Sequence, residues 1–385
     1  MSKLIGPGFL AVLTIATVLV SGGQASASHV ACGDVITQDT TLDSDLIDCP
    51  QAGIVIGADG ITLDLAGHAV DGDGVPDPIG SGCRAGIANS RCAPFDTGHD
   101  DVTVTGGTIR EFETGVSIRR SEGVVIEQTR FEGNDTAVGL NDVTRPTVER
   151  NTFFRNSGRA IEGVEAHLAR IERNQVAANG DGIRLVSARD GTIARNVIRD
   201  SALMGITVED GAMRNGVLAN RVQGNGHAGI VVVEGTRLNR VERNYVSNNG
   251  NAPGFHFFDG GILVDKDTRV ERNSVSHNSR GIVLWGHGQN TVAGNAVTAS
   301  VGDGILVEFG SDDPARPHNV LNDNVVARNG DDGIDVEDPR TVVSANTAKH
   351  NSDLGIEAVP GVTDGGGNRA FSNGNPLQCL NVFCR

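Results

Sequence analysis

The sequence predicts an all-β solenoid, a stack of short strands wound into about 11 to 13 coils. Three observations carry that expectation. A small residue followed by Ile or Val recurs at 115, 137, 160, 182, 205, 229, 261, 281, 304, 333 and 355, in steps near 22 residues. An asparagine series keeps pace with it, from Asn151, Asn174 and Asn196 to Asn346 and Asn368, often with a second Asn five residues later. After each small residue the side chains alternate with period two, which is the pattern of a strand. A unit this short cannot bury its own core, and stacking its neighbours on it solves that problem.

Taken in chain order, residues 1–27 read as a processing segment. Lys3 supplies a weakly positive start, Phe9 to Val20 is an apolar run too short to span a bilayer, and Ala25-Ser26-Ala27 offers a cleavage site. The expected protein is secreted, extracellular or periplasmic, with no membrane insertion. Residues 28–385 then form one domain: a cap and first strands over 28–65, a cysteine-bearing loop over 72–99, regular coils over 100–373 and a tail over 374–385. The six cysteines fall as near neighbours, Cys32 with Cys49, Cys83 with Cys92 and Cys379 with Cys384. Six cysteines allow about 15 pairings; adjacent pairing would staple each end and the loop.

Within the coils, the first and third positions after the small residue are aliphatic throughout, as in Ile183/Leu185, Ile262/Val264 and Ile334/Val336. That face points inward. The asparagines suit the turns, because Asn tolerates left-handed backbone, and stacked amides can bond one another. The Gly and Asn load, with no helix-period run, excludes leucine-rich and helical solenoids.

Formal net charge is −16. No run of phosphates could be neutralised by such a chain, so nucleic acid is excluded as a partner. Polyanionic sugars would be repelled unless divalent cations bridged them.

From Ile61 ("ITLDLAGHAVDGDG") through Asn373 the chain resembles the right-handed parallel β-helix repeat proteins of the pectin-lyase-like superfamily. That resemblance implies a right-handed parallel solenoid, an entry cap near Cys32 to Leu65 and closure of the far end by Cys379 to Arg385. The superfamily holds polysaccharide lyases, hydrolases, uronan epimerases, adhesins and a copper-site maturation protein, so function must come from a site.

The array breaks its own rule twice, at "GNAPGFHFFD" (250–259) and "FGSDDPARP" (309–317). Insertions in repeat arrays commonly build the binding face. The coil between them carries the only tryptophan, Trp285, at an outward position, with Asp265 one coil before and Glu308 one coil after. The two carboxylates would bracket the indole at about 9 to 10 Å between backbones, within reach of the roughly 6.5–9.5 Å carboxyl separation of inverting glycosidases. Arg280, Asp303 and Asp332 stack beside them. A pyranose needs an aromatic platform and carboxylates for its hydroxyls and proton transfers. Asp265, Glu308 and Asp303 are therefore the candidate catalytic residues. Trp285, Arg280, His287, His256 and Lys266 are the candidate substrate-binding residues, Lys266 and Arg280 as neutralisers of a uronate. The competing expectation is that "FHFF" covers the outward line Val231, Leu263, Val283 and Leu306, with Trp285 a packing contact.

Other motifs carry less. "NGDG" (179–182), "GHG" (286–288) and "GDDG" (330–333) are similar to pieces of the polygalacturonase-type hydrolase motif, in the wrong order and without its Arg-Ile-Lys. Asp181, Asp303 and Asp332 share one repeat position and read as turn residues. "DDPARPH" (312–318) matches the epimerases' Asp-Pro-His only in part. "DGDGVPD" (71–77) has weak calcium-loop character through Asp71, Asp73 and Asp77, so Ca2+ is the one cofactor weighed and no other metal site is assigned. The expected function is a protein that binds and processes a polysaccharide, with a hydrolase favoured over a lyase or epimerase. The alternative is a non-catalytic adhesion or structural surface module.

Overall fold

The computed structural model describes residues 29–75, 84–90, 97–233, 235–250, 259–285, 288–309 and 319–385. Cys83, Cys92, His256 and His287 lie outside these residues, as do Asp77 and most of both insertions. Every regular element among the described residues is a strand. The strands stack in parallel into a right-handed solenoid of about 13 turns.

One face is a single 14-stranded parallel sheet running from Asp34–Ile36 to Ile356–Ala358. It is built from the small-Ile/Val positions and is called the site sheet below. Two further faces repeat beside it. Thr192–Ala194, Gly216–Leu218 and Asn239–Glu242 are successive rungs of one. Val197–Arg199, Arg221–Gln223 and Tyr245–Ser247 are rungs of the other.

Register explains the sequence pattern. Ile183, Ile206, Ile230, Ile262, Ile282 and Ile305 lie directly above one another and are buried. Each column is a continuous aliphatic seam, which is how parallel strands fill an enclosed interior. The small residue that precedes the seam is required by close approach. A Cβ on Gly229 would meet the Gly261 carbonyl oxygen at 2.8 Å, and one on Gly261 would meet that of Gly281 at 2.6 Å. Only glycine or a residue that shifts the corner fits there.

The asparagines stand one place away from where the turn argument put them. The left-handed residue at each corner is the one before, as in Arg150, Arg173, Arg195, Arg243 and Arg272 with φ of 54° to 56°. That kink turns the following Asn inward. Asn220 Nδ2 donates to Asn244 Oδ1 at 3.1 Å, and Asn244 Nδ2 donates to Asn273 Oδ1 at 3.0 Å. Each side-chain oxygen also accepts the backbone N–H of the Asn in the coil before, at 2.8 Å for Asn220 onto Asn244. The ladder thereby satisfies corner groups that water cannot reach.

Each end carries a staple. Cys32–Cys49 and Cys379–Cys384 are disulfides. In the tail, Gln378 Oε1 accepts from Asn373 Nδ2 at 2.9 Å, ending the second ladder, while Gly355 N donates to Gln378 O and Leu380 N donates to Ile356 O. The tail thus covers the last site-sheet strand, whose open edge would otherwise invite pairing.

Two of the three acids read for calcium character are paired internally. Asp71 takes two bonds from Arg110, at 2.9 and 2.8 Å, and Asp73 pairs with Arg84 at 3.1 Å. Carboxylates neutralised by guanidinium groups are poor ligands for an ion.

Candidate functional site

The outward face of the site sheet has three zones. In the first, Arg184 lies between Glu162 and Glu209 and pairs with both. In the second, Val231, Val233, Leu263, Val283 and Leu306 are buried although they point away from the solenoid core. They form a second apolar cluster, against which Met204 and Trp285 pack. In the third, beyond Leu306, the face becomes acidic: Leu306 is followed in register by Asp335 and then Glu357.

Trp285 stands at the seam between the apolar and acidic zones. It is half-buried, points outward as read from the sequence, and lies in register with Glu308. Glu308 is bound in turn by Arg280, whose Nη1 donates to its Oε1 at 3.3 Å while Nε donates to the Asp259 carbonyl at 3.3 Å. Asp265 is buried, 8 % exposed, on the coil before, and Lys266 beside it is half-buried. Trp285, Glu308, Arg280 and Asp303 thus share one face over adjoining coils, while Asp265 lies beneath the surface of that face.

Burial, with neighbouring charges adding to it, raises the carboxyls of this region. Burial raises the Asp303 carboxyl, with the Asp332 N–H opposing and the Asp331 charge adding. Burial likewise raises Glu308, against the pull of Arg280. Asp335 is pushed up to about 7 by burial and by the charges of Asp303, Glu337 and Glu357. Asp332 is pushed up to about 8 by burial and by its contact with the Glu357 carboxyl, against the Leu354 N–H. The carboxylate oxygens of Asp303, Asp332 and Asp335 lie within 4.8 Å of one another, and these three residues could hold a hard divalent cation through oxygen alone.

The turn role expected of the repeated aspartates is also visible. Asp181 accepts from Met204 N at 3.0 Å, Asp303 from Asp332 N at 3.1 Å and Asp332 from Leu354 N at 2.7 Å, each bond joining one coil to the next. Two of the three therefore serve the corner and the acidic cluster together.

Sequence reasoning did not single out Asp335 or Glu357. Their signal is the switch from aliphatic to acidic at the first outward position, from Leu306 to Asp335 and Glu357. It also missed a buried pair at the edge of the apolar zone, His227 Nδ1 to Asp259 Oδ1 at 2.8 Å. Asp259 is the point where the chain rejoins the coil after the first insertion, close to Gly250 where it leaves; a Cβ on Gly250 would lie 2.7 Å from Gly260 N.

Fold and site together define a parallel β-solenoid with an aromatic and acidic outer face. The chain belongs to the right-handed β-helix region family, whose model matches residues 95–249 and 220–370. No curated protein matches it in sequence. Among solved structures it is similar to the A-module of Azotobacter vinelandii mannuronan C-5 epimerase AlgE4, with TM-score 0.56 and 13% identity over 83% of this chain and 91% of that one. It is also similar to the periplasmic alginate epimerase AlgG, with TM-score 0.48 and 13% identity over 86% and 79%. A third is DFA-IIIase from Arthrobacter chlorophenolicus A6, with TM-score 0.45 and 13% identity over 75% and 83%. At these identities the likeness is one of fold.

Proposed function

We propose that the protein binds a polysaccharide along the site sheet and processes it by carboxyl acid–base chemistry over the coils of Gly261 to Gly355. One observation carries this reading. Carboxyls that hold a proton near neutral pH, Asp335 at about 7 and Asp332 at about 8, stand beside the Arg280–Glu308 pair, which adjoins the only indole of the chain. A general acid must be protonated at working pH, and burial with like charges is how a carboxyl reaches that state. The similar fold of the AlgE4 A-module, a mannuronan C-5 epimerase, supports a polysaccharide as the substrate class.

In this reading Trp285 is the platform for a sugar ring. Glu308 and Asp303 act as acid and base together with Asp335, while Asp265 orients the platform from beneath. Strand spacing and rise give Glu308 and Asp335 a backbone separation of roughly 8 Å, compatible with the roughly 6.5–9.5 Å between carboxyl groups in an inverting hydrolase. Arg280 and Lys266 would neutralise a uronate, His256 would act from the first insertion, and His287 from the coil that carries Trp285. Export to the extracellular space or periplasm belongs to the same reading, and the two disulfides suit it. The test is incubation with a panel of neutral and acidic polysaccharides, scored for new reducing ends, unsaturated uronates and altered uronate configuration. Turnover that disappears in Glu308→Gln supports the proposal; a complete panel without turnover or binding removes it.

The second reading, a non-catalytic surface module, is favoured by the packing of Trp285 against the outer apolar cluster. It expects Trp285→Ala to cost stability and to leave glycan binding unchanged.

A further inference from the structure

On the second face of the solenoid the sequence Arg-(Ile/Val)-Glu-Arg repeats, at 170–173, 240–243 and 269–272. Each glutamate is held by arginine. Glu172 lies 3.2 Å from Arg170 and 3.5 Å from Arg195, Glu242 lies 3.5 Å from Arg240, and Glu271 lies 3.5 Å from Arg269. Register places Ala194 and Leu218 where the next two glutamates of the column belong, between Glu172 and Glu242. The coil at 216–219 reads Gly-Val-Leu-Ala and lacks all three charges of the motif.

A cavity of about 270 Å³ opens at that gap, lined by Glu172, Thr192, Arg195, Leu218, Glu242 and Arg243 among others. Arg195 and Arg243 are two coils apart, roughly 10 Å between backbones, with only the methyl group of Ala219 between them. Arg243 makes no ion pair among the described residues, and Arg195 holds Glu172 only at 3.5 Å. Leu218 is half-exposed and Ala194 is buried, so the gap has an apolar floor between two cations.

We propose that this notch binds one small carboxylic acid carried on a ring-sized frame with an apolar face. The ligand carboxylate takes the place of the missing glutamate between Arg195 and Arg243, as a charge-assisted pair with at least one guanidinium. Its apolar face lies on Leu218, and hydroxyls on the ring, where present, bond Thr192, Glu172 and Glu242. At about 270 Å³ the cavity lies just below the roughly 300–1,000 Å³ range of small-molecule sites, which fits one ring and not a polymer segment. A sugar acid and an alicyclic acid share this chemistry. The inference does not rest on the proposed function, because the notch lies on a different face from Glu308 and Trp285.

The test is titration of the full chain by calorimetry with galacturonate and with cyclohexanecarboxylate, against glucose and acetate as partial ligands. Saturable binding of either ring acid, at least about tenfold tighter than both controls, is expected, since glucose lacks the charge-assisted pair and acetate lacks the apolar face that would be buried on Leu218, each contributing at least about that factor. The relative affinity of the two ring acids shows whether the hydroxyls are read. Leu218→Glu, which restores the missing rung, should abolish binding by occupying the gap with an internal carboxylate, and Arg243→Ala should weaken it at least about tenfold. Glu308→Gln should leave it unchanged. Equal binding of acids and controls, no binding of either ring acid, or full affinity in both Leu218→Glu and Arg243→Ala would overturn the proposal.

Discussion

Arg280 reaches from the edge of its own strand to Glu308 on the next coil, Nη1 to Oε1 at 3.3 Å, and so ties the entry side of the site sheet to its far side. Both groups are largely withdrawn from water, Arg280 at 15% and Glu308 at 28% exposure. Burial raises the Glu308 carboxyl and Arg280 opposes that rise. Arg280→Ala therefore removes the opposing charge, and Glu308 should titrate higher still. Carboxyl-resolved NMR titration of wild type against Arg280→Ala checks this, and an unchanged Glu308 would show that the pair is not made in solution.

The acidic zone makes stability depend on pH with a definite sign. Asp335 and Asp332 have folded-state values of about 7 and about 8, above the ordinary carboxyl value. The folded protein then binds more protons than the unfolded chain between about pH 4 and 8, and stability falls as pH rises through that window. Asp335→Asn, which is neutral throughout, should narrow the drop in Tm between pH 5 and pH 8. A drop of the same size in the variant would contradict the assignment.

Each rung of the asparagine ladder satisfies several buried groups. Asn244 Oδ1 accepts from Asn220 N at 2.8 Å, and its Nδ2 reaches Val217 O at 2.8 Å. Asn244→Ala leaves those partners unpaired in the interior and should cost at least about 2 kcal/mol, several times what an exposed Asn would. Denaturant unfolding of Asn244→Ala beside an exposed control such as Asn141→Ala measures the difference.

The N-terminal staple closes a short loop, with a sequence separation of 17 between Cys32 and Cys49. A loop of that length contributes about 3 kcal/mol in the chain-entropy description. Replacing both cysteines by serine should lower stability by that order, and hydrogen exchange should report the loss first in the strands from Asp34–Ile36 to Ile54–Ile56.

The coils were legible because the period is enforced by contacts that the sequence cannot avoid writing: a glycine or alanine wherever two corners meet, an aliphatic wherever a seam runs inward. Trp285 was legible for the same reason, since counting outward positions from Gly281 already turns it away from the core. The acidic cluster was not, because Asp303 and Asp332 repeat at a turn position, and their turn bonds to Asp332 N and Leu354 N are real. Only stacking shows that those turn residues also lie against Asp335 and Glu357. The pair of His227 and Asp259 was hidden by the insertion that separates them in sequence by 32 residues and returns them to adjoining coils. The buried outer cluster was half legible: its residues were read as outward and apolar, while their burial depends on packing across coils that the repeat alone does not state.

Trp285 is the only tryptophan, so tryptophan-selective fluorescence reports this face alone. Saturable quenching of that emission by a polysaccharide, retained in Leu218→Glu, would place binding at the site sheet.

The most direct measurement is product formation from a polysaccharide panel by wild type, Glu308→Gln and Asp335→Asn, each first shown to be folded by its thermal transition. Turnover of at least one polysaccharide by wild type, reduced at least about a hundredfold in both variants, is the predicted result, the size expected for losing a general acid or base. Turnover that persists in both variants, or a folded wild type that neither binds nor alters any member of the panel, would contradict it.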